Sequence, residues 1–163
     1  MDRSDLQFFL DFTIWADRKV LDGARHVTKE QLQVSHPMPY VSIFDTLKHM
    51  MGAQQFWLTC CGGISCQPST PIHDLDQLGA AWDSVHFDFC TFVAGLNGDQ
   101  LKSKITYTDI NGLERAHPVE WLMLHVFNHS TEHRSQVAAM LATSGYDVGW
   151  LDIVFYLWHI DSP

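Results

Sequence analysis

The residue pattern predicts an all-α fold, a four-helix bundle with a short β-hairpin before the last long helix and a short C-terminal helix. Three observations carry that prediction. Apolar residues recur at helical spacing in four stretches of roughly twenty residues each. Breakers punctuate the gaps: Pro37 with Pro39, Gly62 with Gly63, Asn97 with Gly98, and Gly145. Only one segment alternates as a strand does.

The first helix is expected from about Ser4 to His26, with Ser4 available as a cap and Phe8, Phe12, Trp15, Val20 and Leu21 near helical spacing. Pro37 and Pro39 then break the chain. The second opens at Ser42, where Asp45 stands three positions after the cap, and runs through TLKHMMGAQQFWLTC to stop at Gly62 and Gly63. The third spans about Asp74 to Leu96, with Leu78, Trp82, Phe87, Phe89, Phe92 and Val93 as its apolar set. In KITYTDINGLERAHP, Ile105 and Tyr107 alternate ahead of Asn111-Gly112, which reads as a β-hairpin. Pro118 suits the first turn of the fourth helix, which reaches Ser144 and is closed by Gly145. The tail WLDIVFYLW supplies one more helical turn or two.

A chain of 163 residues fits one domain, taken as residues 1–163. Nineteen acidic residues against ten Lys plus Arg give a formal charge of −9, which repels phosphate backbones and anionic lipid. Nucleic acid and membrane surfaces are therefore excluded as partners. The start, MDRSDLQFFLDFTIW, lacks the basic end and unbroken apolar stretch of a secretory signal, and no segment is long enough to span a membrane. The expected location is the cytoplasm. There, Cys60, Cys61, Cys66 and Cys90 are expected to be reduced, partly buried structural thiols, since TCCGGISC lacks the paired C-x-x-C of a zinc site.

The chemistry lies in the histidines. His125, His129 and His133 recur every fourth residue on the last long helix, so their side chains stack along one face beside Leu122, Val126, Val137 and Met140. Three such rungs span about 12 Å along the axis, too far for all three to reach one ion about 2 Å from each nitrogen. At most two can share it. His49 lies mid-helix on a stripe with Ala53, Phe56 and Cys60, and so points inward from a second helix. Three neutral imidazoles around a divalent cation leave a fourth position open, the catalytic arrangement. His26, His36, His73, His86, His117 and His159 read as surface residues or as partners of helix C-terminal dipoles. The string HSTEH matches the H-x-x-E-H order of inverted zincin peptidases, but no third acidic ligand follows. Glu132 could still orient a ligand or act as a base toward water.

HVFNHSTEHRSQVAAMLATSG resembles the fourth-helix motif of the DinB/YfiT-like superfamily, especially its DinB branch. FDTLKHMMGAQQFWL is similar to the second helix of that family, FLDFTIWADRKVLDGA to its first, and the WLDIVFYLW ending matches as well. The resemblance implies that His49, His129 and His133 are the metal ligands, leaving His125 behind the site or in the core. Two departures stand out: Glu132 where many relatives carry histidine, and Ser135 in place of the glycine usual after the arginine. The resemblance further implies a divalent ion, Zn²⁺ or Ni²⁺, that activates a low-molecular-weight thiol toward a small electrophile. The expected activity is a metal-dependent thiol S-transferase or isomerase serving stress response or detoxification, in a homodimer. Two other readings stay open. One is a metal-dependent hydrolase using Glu132, and the other a non-catalytic, stress-induced metal-binding protein.

Overall fold

The computed structural model describes residues 1–37, 42–63 and 71–162. Pro39 and Cys66 lie outside them. Helix α1 runs Arg3–Ala24, and its cap is Asp2, not Ser4: the Asp2 carboxylate accepts from the Ser4 and Asp5 backbone N–H groups. A four-residue helix α2, Lys29–Leu32, follows under a Thr28 cap. Helix α3 covers Ile43–Cys60, and Ser42 caps it as expected, its hydroxyl accepting from Asp45 N at 3.1 Å. Gly62, at φ +86°, takes the left-handed turn beyond it.

Helix α4 spans Leu75–Gly95 beneath an Asp74 cap. Asn97 does more than end it: its side chain caps the five-residue helix α5, Gly98–Lys102. Strands β1, Lys104–Thr108, and β2, Glu114–Pro118, pair antiparallel with Lys104 opposite Pro118 and Thr108 opposite Glu114. The hairpin loop is wider than a two-residue Asn-Gly turn. Asp109 closes it by accepting from Asn111 and Leu113 N–H, and Gly112 sits at φ +77°. Helix α6, Val119–Thr143, begins one residue after Pro118 and ends where Gly145, at φ +92°, lets Tyr146 N–H reach back to Leu141 O. Helix α7, Ile153–Ile160, makes the expected two turns.

Around the bundle the order is α1, α4, α3, α6, so α3 and α6 are neighbours while α1 and α3 are diagonal. Trp82, Phe89, Leu47, Met50, Met123 and Leu141 fill the centre. In α7, Tyr156 packs on Phe12 and Ala16 of α1 as a smaller second cluster. The buried stripe of α4 is Leu78, Trp82, Val85, His86, Phe89 and Val93. That register corrects two expectations, since Phe87 is 71% exposed and His86 is inside. An apolar residue one position off the stripe faces water, whatever its hydropathy. Among the described residues, no helix is long and apolar enough to cross a membrane.

Candidate metal centre

Helix α6 carries its histidines on a face that turns. An i to i+4 step rotates by about 40° beyond a full turn at 3.6 residues per turn, so the ladder winds from the rim toward the core. His125 is exposed, His129 half-buried and His133 buried. His125 is therefore not a core residue. Across the groove, the core stripe of α3 is Ile43, Leu47, Met50, Gln54 and Leu58. His49 lies on the flank of that stripe, with Phe56 half-exposed two turns on. The face of His49 thus looks toward α6 instead of into the centre.

Winding and flank together bring His49, His129 and His133 into one group, with a ring nitrogen of each within 4.8 Å of the others. His49 Nε2 and His129 Nε2 lie 3.0 Å apart, and the rings of His129 and His133 meet edge-on at 4.4 Å between centroids. Nitrogens held tetrahedrally by Zn²⁺ lie about 3.3 Å apart, given bonds of about 2.0–2.1 Å. On that measure the close pair has to open by about 0.3 Å and the wider separation, up to 4.8 Å, has to close.

The donor set suits a cation in a second way. Burial first, then the like charges of His133, His49 and His125, lowers the His129 pKa to about 4. Burial and His133 lower that of His49 as well. Both rings are then neutral at pH 7 and keep lone pairs for a metal. For His133, Nδ1–H donates to Gln136 Oε1 at 2.8 Å, so in the neutral ring the lone pair resides on Nε2.

Beside the trio runs a line of rings. His125 lies 5.5 Å from His129 and edge-on to Trp57 at 5.0 Å, Trp57 meets Tyr107 of β1 at 5.0 Å, and Tyr107 OH pairs with His117 Nδ1 at 3.1 Å. The hairpin thereby closes one side of the site's approach. Glu132 is exposed and, among the described residues, makes no hydrogen bond or ion pair.

Behind the ligands lies a network that spacing arguments do not reveal. Asp17 of α1, fully buried, accepts from Arg134 Nη1 on Oδ1 at 2.9 Å and from Gln54 Nε2 on Oδ2 at 2.6 Å. His86 Nε2 approaches Oδ2 at 3.4 Å, Trp82 Nε1 donates to Gln54 Oε1 at 2.8 Å, and Gln54 Nε2 also reaches Ser130 Oγ at 3.1 Å. Burial alone raises a carboxyl pKa, but the Arg134 charge, the His86 hydrogen bond and charge, and the Gln54 hydrogen bond outweigh it and hold Asp17 low. All four long helices meet here. Ser130 and Arg134 follow His129 and His133 directly, so α6 presents ligands on one side and the network on the other. A signal did exist in the sequence: Asp17 and Arg134 are charged residues on the mostly apolar buried stripes of α1 and α6.

The described cysteines are free, Cys61 buried and Cys60 and Cys90 half-buried. Burial, with a smaller contribution from Cys60, pushes the Cys61 thiol up to about 12, and burial raises Cys60 and Cys90 too. None is a ready nucleophile.

Comparison with known proteins identifies the family. The model of the DinB family matches residues 1–162. Protein DinB of Bacillus subtilis (strain 168) is 21% identical over 165 residues, which cover 94% of this chain and 95% of that protein. Among solved structures, a DinB-like protein from Bacillus cereus ATCC 10987 superposes with a TM-score of 0.66 at 17% identity, covering 87% of this chain and 94% of the other. A DinB-like protein from Bacillus subtilis gives 0.62 at 13% identity over 84% and 91% of the two chains. The chain belongs to the DinB family.

Proposed function

From membership of the DinB family, we propose that this chain holds a divalent ion, Zn²⁺ or Ni²⁺, on His49, His129 and His133 and transfers a low-molecular-weight thiol to a small electrophile. The observation that carries the reading is the convergence of three imidazoles from two helices, two of them kept neutral by burial and by one another. An ion bound there would supply a Lewis-acidic position that favours a thiolate over a thiol. The residues of the chain do the rest: Trp57, His125 and Tyr107 flank the approach. No described cysteine offers its own thiolate, which supports a thiol that arrives from solution. A cytoplasmic setting fits, since small thiols stay reduced there.

Hydrolysis with Glu132 as base draws less support, because that carboxylate is exposed and bonds to none of the three rings. Turnover of a panel of small thiols and electrophiles, and of esters, by metal-loaded protein separates the readings. Thiol transfer that survives Glu132→Gln supports the proposal. Ester hydrolysis abolished by the same change overturns it in favour of a hydrolase, and metal retained with no turnover on either panel leaves a binding protein.

The chain is also proposed to act as a homodimer. Trp121 and Leu124 of α6 and Val154, Leu157 and Trp158 of α7 expose apolar surface, with Leu124 and Val154 lining one groove. Sedimentation at micromolar concentration is expected to give a dimer; a monomer there rejects this part.

A further inference from the structure

Gln136 stands outside every ligand set considered above, yet its Oε1 lies 2.8 Å from His133 Nδ1, a hydrogen bond that bears on which nitrogen of His133 carries the proton. We propose that Gln136 is a positioning residue for the metal centre, its Oε1 holding His133 Nδ1–H so that Nε2 is presented as the ligand atom. The inference rests on the metal reading for its consequence, but not for its geometry.

Three features support it. Gln136 is three residues beyond His133, and helical side chains lean toward the N-terminus, so its amide reaches back over the ring. The turn between them cannot rotate freely, because Arg134 is tied to Asp17 at 2.9 Å and to Thr131 Oγ1 at 2.7 Å. The half-buried amide is also partly shielded from water that would compete for the bond.

The chemistry follows from donor and acceptor roles. A carboxamide oxygen can only accept, so Nδ1 must donate and the neutral ring is fixed in one tautomer. Partners of this kind raise the basicity of the coordinating nitrogen and hold the ring's orientation, and their loss typically costs about 10–100-fold in metal affinity. A neutral acceptor does this without adding negative charge, leaving the full charge of the ion to attract an anionic thiolate.

Two readouts test the proposal. Long-range ¹H–¹⁵N correlation spectra of the metal-free protein are expected to show His133 as the Nδ1–H tautomer, and Gln136→Leu to convert it to a mixture. Zn²⁺ titration against a chromophoric chelator is expected to show Gln136→Leu binding about 10–100-fold more weakly than the parent, with Gln136→Glu restoring or exceeding parental affinity. An Nε2–H tautomer in the parent, or a spectrum unmoved by Gln136→Leu, overturns the inference. So does Zn²⁺ affinity of Gln136→Leu within about threefold of a parent that binds, against the loss expected of such partners. A parent with the expected tautomer that ignores Zn²⁺ overturns the metal reading instead.

Discussion

Two polar clusters flank helix α6, and they solve opposite problems. The network around Asp17 holds opposite charges sealed from water, with Arg134, Gln54 and His86 all converging on one carboxylate. The trio of His49, His129 and His133 gathers three like groups, and burial with the neighbouring imidazoles opposes protonation of His49 and His129. One cluster pairs its charges within the chain, although His86 Nδ1 has no hydrogen-bond partner among the described residues, and the other is a set of imidazoles suited to a cation. Alternation along α6 couples them, since His129 and His133 are chain neighbours of Ser130 and Arg134. The network therefore sets the rotation of the helix that presents the ligands, and stability and binding should separate by cluster.

The largest expected effect lies on the sealed side. Arg134→Ala leaves Asp17 buried without its cation and should destabilise the fold by about 3–5 kcal/mol in urea unfolding. A cost below about 1 kcal/mol, the range of exposed ion pairs, would erase the distinction between the clusters. On the open side, His129→Ala should lose most of the Zn²⁺ affinity while costing the metal-free fold about 1 kcal/mol or less. A collapse of apo stability would mean that the trio is structural.

A smaller effect separates the clusters by pH. Unfolded His129 takes up a proton near 6.5, whereas the folded ring resists until about 4. Between those values the unfolded chain binds more protons, so metal-free stability should fall as pH drops from about 6.5 toward 4 and be level above it. His129→Ala should flatten that slope, as judged by unfolding midpoints across the range. His125→Ala should do least, leaving metal stoichiometry unchanged; a lost equivalent would make His125 a ligand.

Much of this was legible in the sequence, and several of the failures share a cause. The Ser42 cap, the Gly145 stop and the pairing of β1 with β2 follow from local chemistry that acts within a few residues. His49, His129 and His133 were legible through spacing and through a resemblance whose family the chain proves to share. Burial on a helix depends on angle as well as spacing. Phe87 and His86 differ by one position and exchange places, and the ladder winds by about 40° a step until His125 reaches solvent. Asp17 meets Arg134 across 117 residues, a contact that no local pattern encodes.

The most direct test is metal analysis and Zn²⁺ titration of protein purified without a histidine tag. One equivalent per chain is expected, lost in His49→Ala, His129→Ala and His133→Ala alike. A parent that takes up no metal, or binding that survives all three substitutions, contradicts the assignment of this centre.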